Sequence, residues 1–288
     1  EYLKLDYNYI QYNNEILKVI NFTNFIKKSE LEILYSLTKT NNLNSEIIKI
    51  CGTKNKEEQE YYKFIFKNIK FNFINYKSDL LNLNFKISLS SFKHVGLFPE
   101  QASNWEFLAE NIPKLKNDKP KFLNLFAYTG GASLVCRQMG ADVTHVDSVK
   151  PVLSWARENM EMSNLDSIRW MAEDALKFVK REARRGNFYQ GILLDPPAYG
   201  RGPEGEKWVL EEQIDDMLKS VKEILDPKEH ILLTNVYSLG FSTLVVENLM
   251  NGLFDVPQNA EFGEIYLNDT FNKKLPLGVF HRYLYQEN

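Results

Sequence analysis

Cysteine is nearly missing from this sequence: Cys51 and Cys136 are the only two in 288 residues. They form no CxxC and have no histidine at ligand spacing, which argues against a disulfide framework or a zinc site, and no metal is expected. No apolar run is long enough to cross a membrane, and no signal-peptide pattern is present. A soluble cytoplasmic protein is expected. Net positive charge is lacking too, since 35 Lys and Arg against 38 Asp and Glu leave a formal charge of −3. General attraction to nucleic acid is thereby excluded, and any basic surface must be local.

Other absences are unevenly spread. No proline occurs before Pro99, no alanine before Ala102 and no arginine before Arg137. The earlier stretch is rich in Asn, Lys, Ile, Phe and Tyr instead. This shift divides the chain into a small α+β N-terminal domain over 1–90 and a larger domain over 91–288, and the length is ample for a full core. In the first, Leu3–Tyr12 and Glu15–Asn21 read as strands around an Asn13-Asn14 turn. Ser29 and Glu32 form a capping box before a helix at Leu31–Leu37. Lys56–Lys67 reads as a second helix, and Phe71–Asn75 and Leu83–Leu89 as strands. A packing role is the simplest task for this module, with an RNA- or partner-facing role as the alternative.

Pro99 suits the first turn of a helix reaching about Asn111. From Lys121 onward strand and helix patterns alternate, as in a mostly parallel sheet covered on both faces. Strands are predicted at Phe122–Phe126, Asp142–Val146, Ser167–Met171, Gly191–Leu194, His230–Asn235, Glu264–Leu267 and Gly278–Tyr285. Helices are predicted at Ala132–Met139, Val149–Met162, Ala175–Arg184, Glu211–Leu225 and Thr243–Met250. The fold class is α/β.

Four predicted strands end in groups suited to one ligand. The first runs into Phe126, Ala127, Tyr128, Thr129, Gly130 and Gly131, where glycine allows a tight turn and close backbone approach. The second ends at Asp147 and Ser148, with the acid about twenty residues past the loop, the separation expected for gripping a ribose diol. The third leads into Glu173, Asp174 and Ala175, where an acid can accept a bond from an adenine amino group. The fourth delivers Asp195, Pro196, Pro197 and Tyr199. A dinucleotide would need a GxGxxG turn and space for pyrophosphate. Asp195 would repel phosphate but suits a sulfonium and an ammonium, so the electrostatics favour S-adenosylmethionine over NAD.

In this order and spacing, Asn124–Ser133, Asp147, Glu173–Ala175 and Asp195–Tyr199 resemble the class I S-adenosylmethionine-dependent methyltransferases. Gly96–Gln101 followed by Asp195-Pro-Pro is similar to one branch of them, the bacterial 23S rRNA methyltransferases acting on cytosine C5 or guanine N7. The resemblance implies a Rossmann-like sheet, with Phe126–Gly131 toward the methionine part, Asp147 at the ribose, and Phe98, Gln101 and Ser148 also binding the cofactor. It places Asp174 and Ala175 at the adenine and Asp195, Pro196 and Pro197 at the transfer point, the prolines leaving carbonyls free for a target amino group. Tyr199 would stack on a flipped-out base. The implied partner is RNA, ribosomal RNA above all.

Cytosine C5 chemistry needs a thiolate nucleophile. The cytosine branch carries a cysteine after its fifth strand, where this chain has Thr234–Ser238, so transfer to a base nitrogen fits better. Two alternatives stand beside this: a methyltransferase of the same fold acting on a small molecule or protein, and an inactive nucleoside-binding module. Residues Gly200–Lys207 read as a mobile loop at the substrate mouth. Lys180–Arg185 reads as a charged helix face, Trp155 and Trp170 as core, and Lys93 and His94 as either packing or substrate contacts.

Overall fold

The computed structural model of the protein describes residues 73–87, 95–238, 240–268, 271 and 273–287. The strands expected at Leu3–Tyr12 and Glu15–Asn21, the helices at Leu31–Leu37 and Lys56–Lys67, and Cys51, Lys93 and His94 lie outside the described residues. The described residues fall into two compact units. One contains 73–76, 84–87, 95–99 and the described part of 267–275; the other contains 77–83, 100–266 and 276–287. Strands β1 (Phe73–Lys77) and β2 (Asn82–Lys86) pair as a two-stranded sheet. Asn75 donates to Asn84 Oδ1 at 3.0 Å within it.

The second unit is built on a sheet of seven strands. A 3-10 turn at Pro99–Gln101 leads into α1 (Ala102–Asn111). Then follow β3 (Lys121–Leu125), α2 (Gly131–Gln138), β4 (Asp142–Asp147), α3 (Lys150–Met162), β5 (Ile168–Ala172), α4 (Ala175–Arg184) and β6 (Gly191–Leu194). After a short hairpin, β7 (Tyr199–Arg201) and β8 (Lys207–Val209), come α5 (Leu210–Lys222), β9 (Glu229–Val236), α6 (Thr243–Leu253), β10 (Glu261–Asn268) and β11 (Lys274–Gln286). The sheet order is β10-β11-β9-β6-β3-β4-β5. Strands β9, β6, β3, β4 and β5 run parallel, and β11 lies antiparallel to β9.

Residue alternation along β3 explains the layering. Leu123 and Leu125 join Val146, Ile192, Leu194 and Leu232 in a core shared with Phe178 of α4, Met217 of α5 and Val246 of α6. Asn124 points the other way, donating to Ser133 Oγ of α2 at 2.8 Å. A strand buried on both faces needs apolar residues at nearly every position, and Phe122, Leu123 and Leu125 are fully buried. Helix α4 is capped by Asp174, which accepts the Lys177 N–H at 2.9 Å, and buries Phe178 and Val179 while exposing Lys177 and Lys180.

Three expectations change. The first strand stops at Leu125 because Phe126 turns left-handed, with φ 56°. Residues 199–209 are a paired hairpin rather than a loose loop. Its turn is tied to α4, because Lys177 Nζ reaches Glu204 at 3.0 Å and also pairs with Glu206. Trp155 and Trp170 are half-buried rather than core. Trp170 lies on β5, which among the described residues is the last strand of the sheet.

Candidate active site

The order β6-β3-β4-β5 sets four predicted groups side by side, since each follows the carboxyl end of its strand. Neighbouring strands lie ~4.8 Å apart, so the row from Asp195 to Asp174 crosses about 14 Å of sheet edge. The strand order reverses between β3 and β6, which is where an open parallel sheet presents its crevice.

The loop after β3 is held in a rare backbone form. Phe126 (φ 56°) and Tyr128 (φ 49°) are both left-handed without being glycine. Such conformations cost of order 1 kcal/mol or more each and persist only where neighbours enforce them. Here Ala127 N–H donates to Val146 O at 3.1 Å, and Tyr128 N–H to Asp147 Oδ2 at 2.9 Å. Asn159 of α3 donates to Thr129 O at 2.9 Å. Gly130 then turns at φ 90°, and Gly131 opens α2 against Trp105, whose indole a Cβ would meet at 2.7 Å. The glycine pair thus serves the packing of the loop itself.

Asp147 is half-buried and has a second bond, from Val149 N–H to Oδ1 at 2.9 Å across Ser148. Burial raises its pKa, while the Val149 and Tyr128 N–H groups pull it down. Beneath the loop, Ser133 Oγ lies 3.0 Å from His145 Nδ1. Full burial lowers the His145 pKa to about 3, so the imidazole is neutral. Asp174, with Ala175 as the first helical residue, begins α4.

At the other end, Asp195 accepts two amides. Asn235 Nδ2 donates to Oδ1 at 2.7 Å and Gln101 Nε2 to Oδ2 at 3.2 Å. Dense packing around the carboxyl pushes its pKa up to about 6, against the pull of the Asn235 bond. The residue still opens to solvent on one side, and screening there works against the rise. Glu100 stands nearby, raised to about 7 by burial first and further by the Asp195 charge, with a backbone hydrogen bond opposing. Pro196 is buried, and Pro197 O accepts the Trp208 indole N–H at 2.7 Å. The Pro197 carbonyl is therefore already engaged, contrary to the expectation that both prolines leave theirs free. Phe126 packs on the same indole, ring centres 4.8 Å apart, joining the loop to the hairpin. Tyr199 is 73% exposed, beyond the corner.

A crystal structure of an S-adenosylmethionine-dependent methyltransferase from Agrobacterium tumefaciens superposes with TM-score 0.66 at 35% sequence identity, covering 75% of this chain and 71% of that one. The chain belongs to the S-adenosylmethionine-dependent methyltransferases. Among curated proteins, this methyltransferase is 33% identical over 156 residues to the ribosomal RNA large subunit methyltransferase K/L of Pseudoalteromonas translucida, covering 52% of the chain and 21% of that protein. The protein of the same name from Shewanella pealeana is 26% identical over 214 residues, covering 73% of the chain and 28% of its own length. The chain thus spans about a quarter of the length of the curated relatives it matches. No family model matches it.

Phe98 belongs to the first unit. Sequence reasoning gave Asn104 and Asn235 no role in the site, and Glu100 and Asn235 were noticed only within longer motifs. Asn235 did carry a signal, being placed where the cytosine branch has its cysteine. Among the described residues the one cysteine is Cys136, buried in α2, its thiol pushed far up by burial. No described group of His, Cys, Asp and Glu is arranged to hold a metal ion, and no described helix is long and apolar enough to cross a membrane.

Proposed function

We propose that this methyltransferase binds S-adenosylmethionine along the edge of β6-β3-β4-β5 and methylates a base nitrogen in RNA, ribosomal RNA being the substrate class. One observation carries this reading: consecutive strand ends deliver carboxylates, Asp195, Asp147 and Asp174, around a strained loop. Carboxylates suit the sulfonium, ammonium and ribose hydroxyls of that cofactor and would repel a diphosphate. When bound, the cofactor supplies an electrophilic methyl group. Asp147 would hold the ribose diol with the lone pairs its two backbone bonds leave over. Asp174 and Ala175 would meet the adenine, and residues 126–131 would wrap the methionine arm.

The chain's own contribution at the transfer point is placement. Holding an acceptor nitrogen about 3 Å from the methyl carbon in the right direction supplies most of the acceleration available here. In this reading Asp195 and the Pro196 carbonyl accept the N–H bonds of a target amine, and the exposed Tyr199 stacks on its ring. Among the described residues no thiol stands at the end of β9; Asn235 does, touching Asp195. That favours nitrogen over C5. The names of the curated relatives support the RNA assignment, which would place the protein in the cytoplasm.

Two measurements test this. Calorimetry with S-adenosylhomocysteine should show binding that Asp147→Ala weakens at least tenfold, and no binding to the parent protein would end the cofactor assignment. Radiolabelled methyl donor offered to RNA, protein and metabolite pools should label RNA at nitrogen. Label in either other pool, with RNA unlabelled, would refute the substrate class.

A further inference from the structure

Asp195 is joined to the far side of the sheet by an unbroken run of directed hydrogen bonds. Arg282 of β11 lies between Phe107 and Phe280, its guanidinium carbon 4.7 Å from each ring centre. It is clamped to Glu261 of β10, Nε at 2.9 Å and Nη2 at 2.6 Å. Its remaining nitrogen, Nη1, donates to Ser103 O at 2.7 Å and to Asn104 Oδ1 at 2.9 Å. Asn104, 2% exposed, turns its amide nitrogen to Gln101 Oε1 at 2.8 Å. Gln101 then donates to Asp195 at 3.2 Å.

The direction of this run has one cause. An asparagine or glutamine can present either oxygen or nitrogen by turning its amide over, but arginine has only donors. With Arg282 fixed, Asn104 must offer it the oxygen, so its nitrogen faces Gln101. Gln101 must answer with its own oxygen, and its N–H is left for Asp195. Reverse Asn104 and its oxygen opposes that of Gln101 while its nitrogen faces the Arg282 donors; reverse Gln101 and two amide nitrogens oppose one another while its oxygen faces the Asp195 carboxylate.

We propose that Arg282 is a positioning residue for the methyl-transfer corner, acting through Asn104 and Gln101 to keep an N–H donor aimed at Asp195. This rests on the assignment of Asp195 to that corner, but its test needs no ligand. The carboxyl of Asp195 is followed by carbon-detected NMR through a pH titration of the protein with labelled aspartate. Among the described residues, Glu100, on the turn before α1, is a titratable group whose pKa the Asp195 charge raises. Gln101 and Asn235 are neutral amides, and Arg282 meets Asn104 rather than Asp195.

Arg282→Met keeps a chain able to fill the slot between the two rings and removes every donor. The Asp195 midpoint should rise by about half a unit or more, a threefold or larger loss of acidity, because Gln101 can now present oxygen. In a Gln101→Leu background the same substitution should leave the midpoint where Gln101→Leu alone puts it. An unchanged midpoint in folded Arg282→Met overturns the proposal, as does an equal shift in both backgrounds. If Arg282→Met does not fold, Asn104→Leu, which cuts the run one step later, must raise the midpoint with Gln101 present and leave it unmoved in Gln101→Leu; any other result refutes the relay. Failure of S-adenosylhomocysteine to bind the parent protein would instead refute the cofactor assignment and leave these titrations readable.

Discussion

Asn235 gives its amide to Asp195 Oδ1 across 2.7 Å, tying the end of β9 to the end of β6. The bond favours the charged carboxylate, so it holds the Asp195 pKa below where burial alone would put it. Asn235→Ala should therefore raise that pKa above about 6. A hydrogen bond to a charged group contributes about 1.5–3 kcal/mol, so S-adenosylhomocysteine affinity should fall roughly tenfold near pH 6.5. Affinity should recover above pH 8. Calorimetry across that range decides it; a loss independent of pH would mean that Asn235 acts in some other way.

Gly131 lies against Trp105, and an added Cβ would sit 2.7 Å from the indole. Gly131→Ala should destabilise the fold by about 1–3 kcal/mol through overpacking. Trp105→Phe, which removes the fused ring, should offset part of this loss in the double variant. Urea unfolding of the four proteins gives the coupling directly, and strictly additive losses would disprove the contact.

Two buried histidines make the fold sensitive to acid. His281 is 1% exposed and its pKa is lowered to about 4 by burial; His145 is lowered to about 3. Both folded values lie below the unfolded one, about 6.5, so the unfolded chain takes up protons first as pH falls. Their stabilising effect is complete above about pH 6.5 and drains away between 6.5 and about 4 for His281, by at most about 3 kcal/mol. Thermal unfolding should show this acid limb. His281→Phe, which keeps the stack on Phe262, should flatten it; an unaltered limb would count against His281 as its source.

The hairpin of β7 and β8 is fastened to α4 through Lys177, which pairs with Glu204 and Glu206. All of this lies at the surface, where ion pairs contribute little to global stability and are screened by salt. Lys177→Met should leave the unfolding temperature unchanged while amide exchange in residues 199–209 speeds up several-fold. High salt should do the same to the parent protein. Exchange that ignores both would show that Trp208 alone retains the hairpin.

Tyr199 is 73% exposed beside Pro197. If it stacks on a target base, Tyr199→Ala should weaken RNA binding by about 1–3 kcal/mol and leave S-adenosylhomocysteine affinity untouched. Parallel titrations with RNA and with the nucleoside separate the two. Equal loss in both would remove the stacking role.

The row of acids was legible because each follows its own apolar run: Phe122–Leu125 before the loop, Val143–Val146 before Asp147, Ile192–Leu194 before Asp195. Alternating strands and helices then implied one sheet edge, and the edge is where these residues lie. The position of Asn235 at a strand end was visible, but its bond to Asp195 was not. Its partner comes from β6, forty positions earlier. Gln101, Asn104 and Arg282 are likewise joined only once β11 has been inserted beside β9. The hairpin was misread because glycine and charge in residues 200–207 resemble a loose loop; its pairing comes from Trp208 and Lys177, which lie outside that stretch.

Arg282 stands on a strand that threads between two others made before it, β9 and β10. During synthesis, the loop after β3 and the acids of β4, β5 and β6 would all have emerged while the corner at Asp195 still lacked its alignment. A ribosome-tethered chain stopped short of β11 would thus carry every recognisable motif and remain catalytically unset.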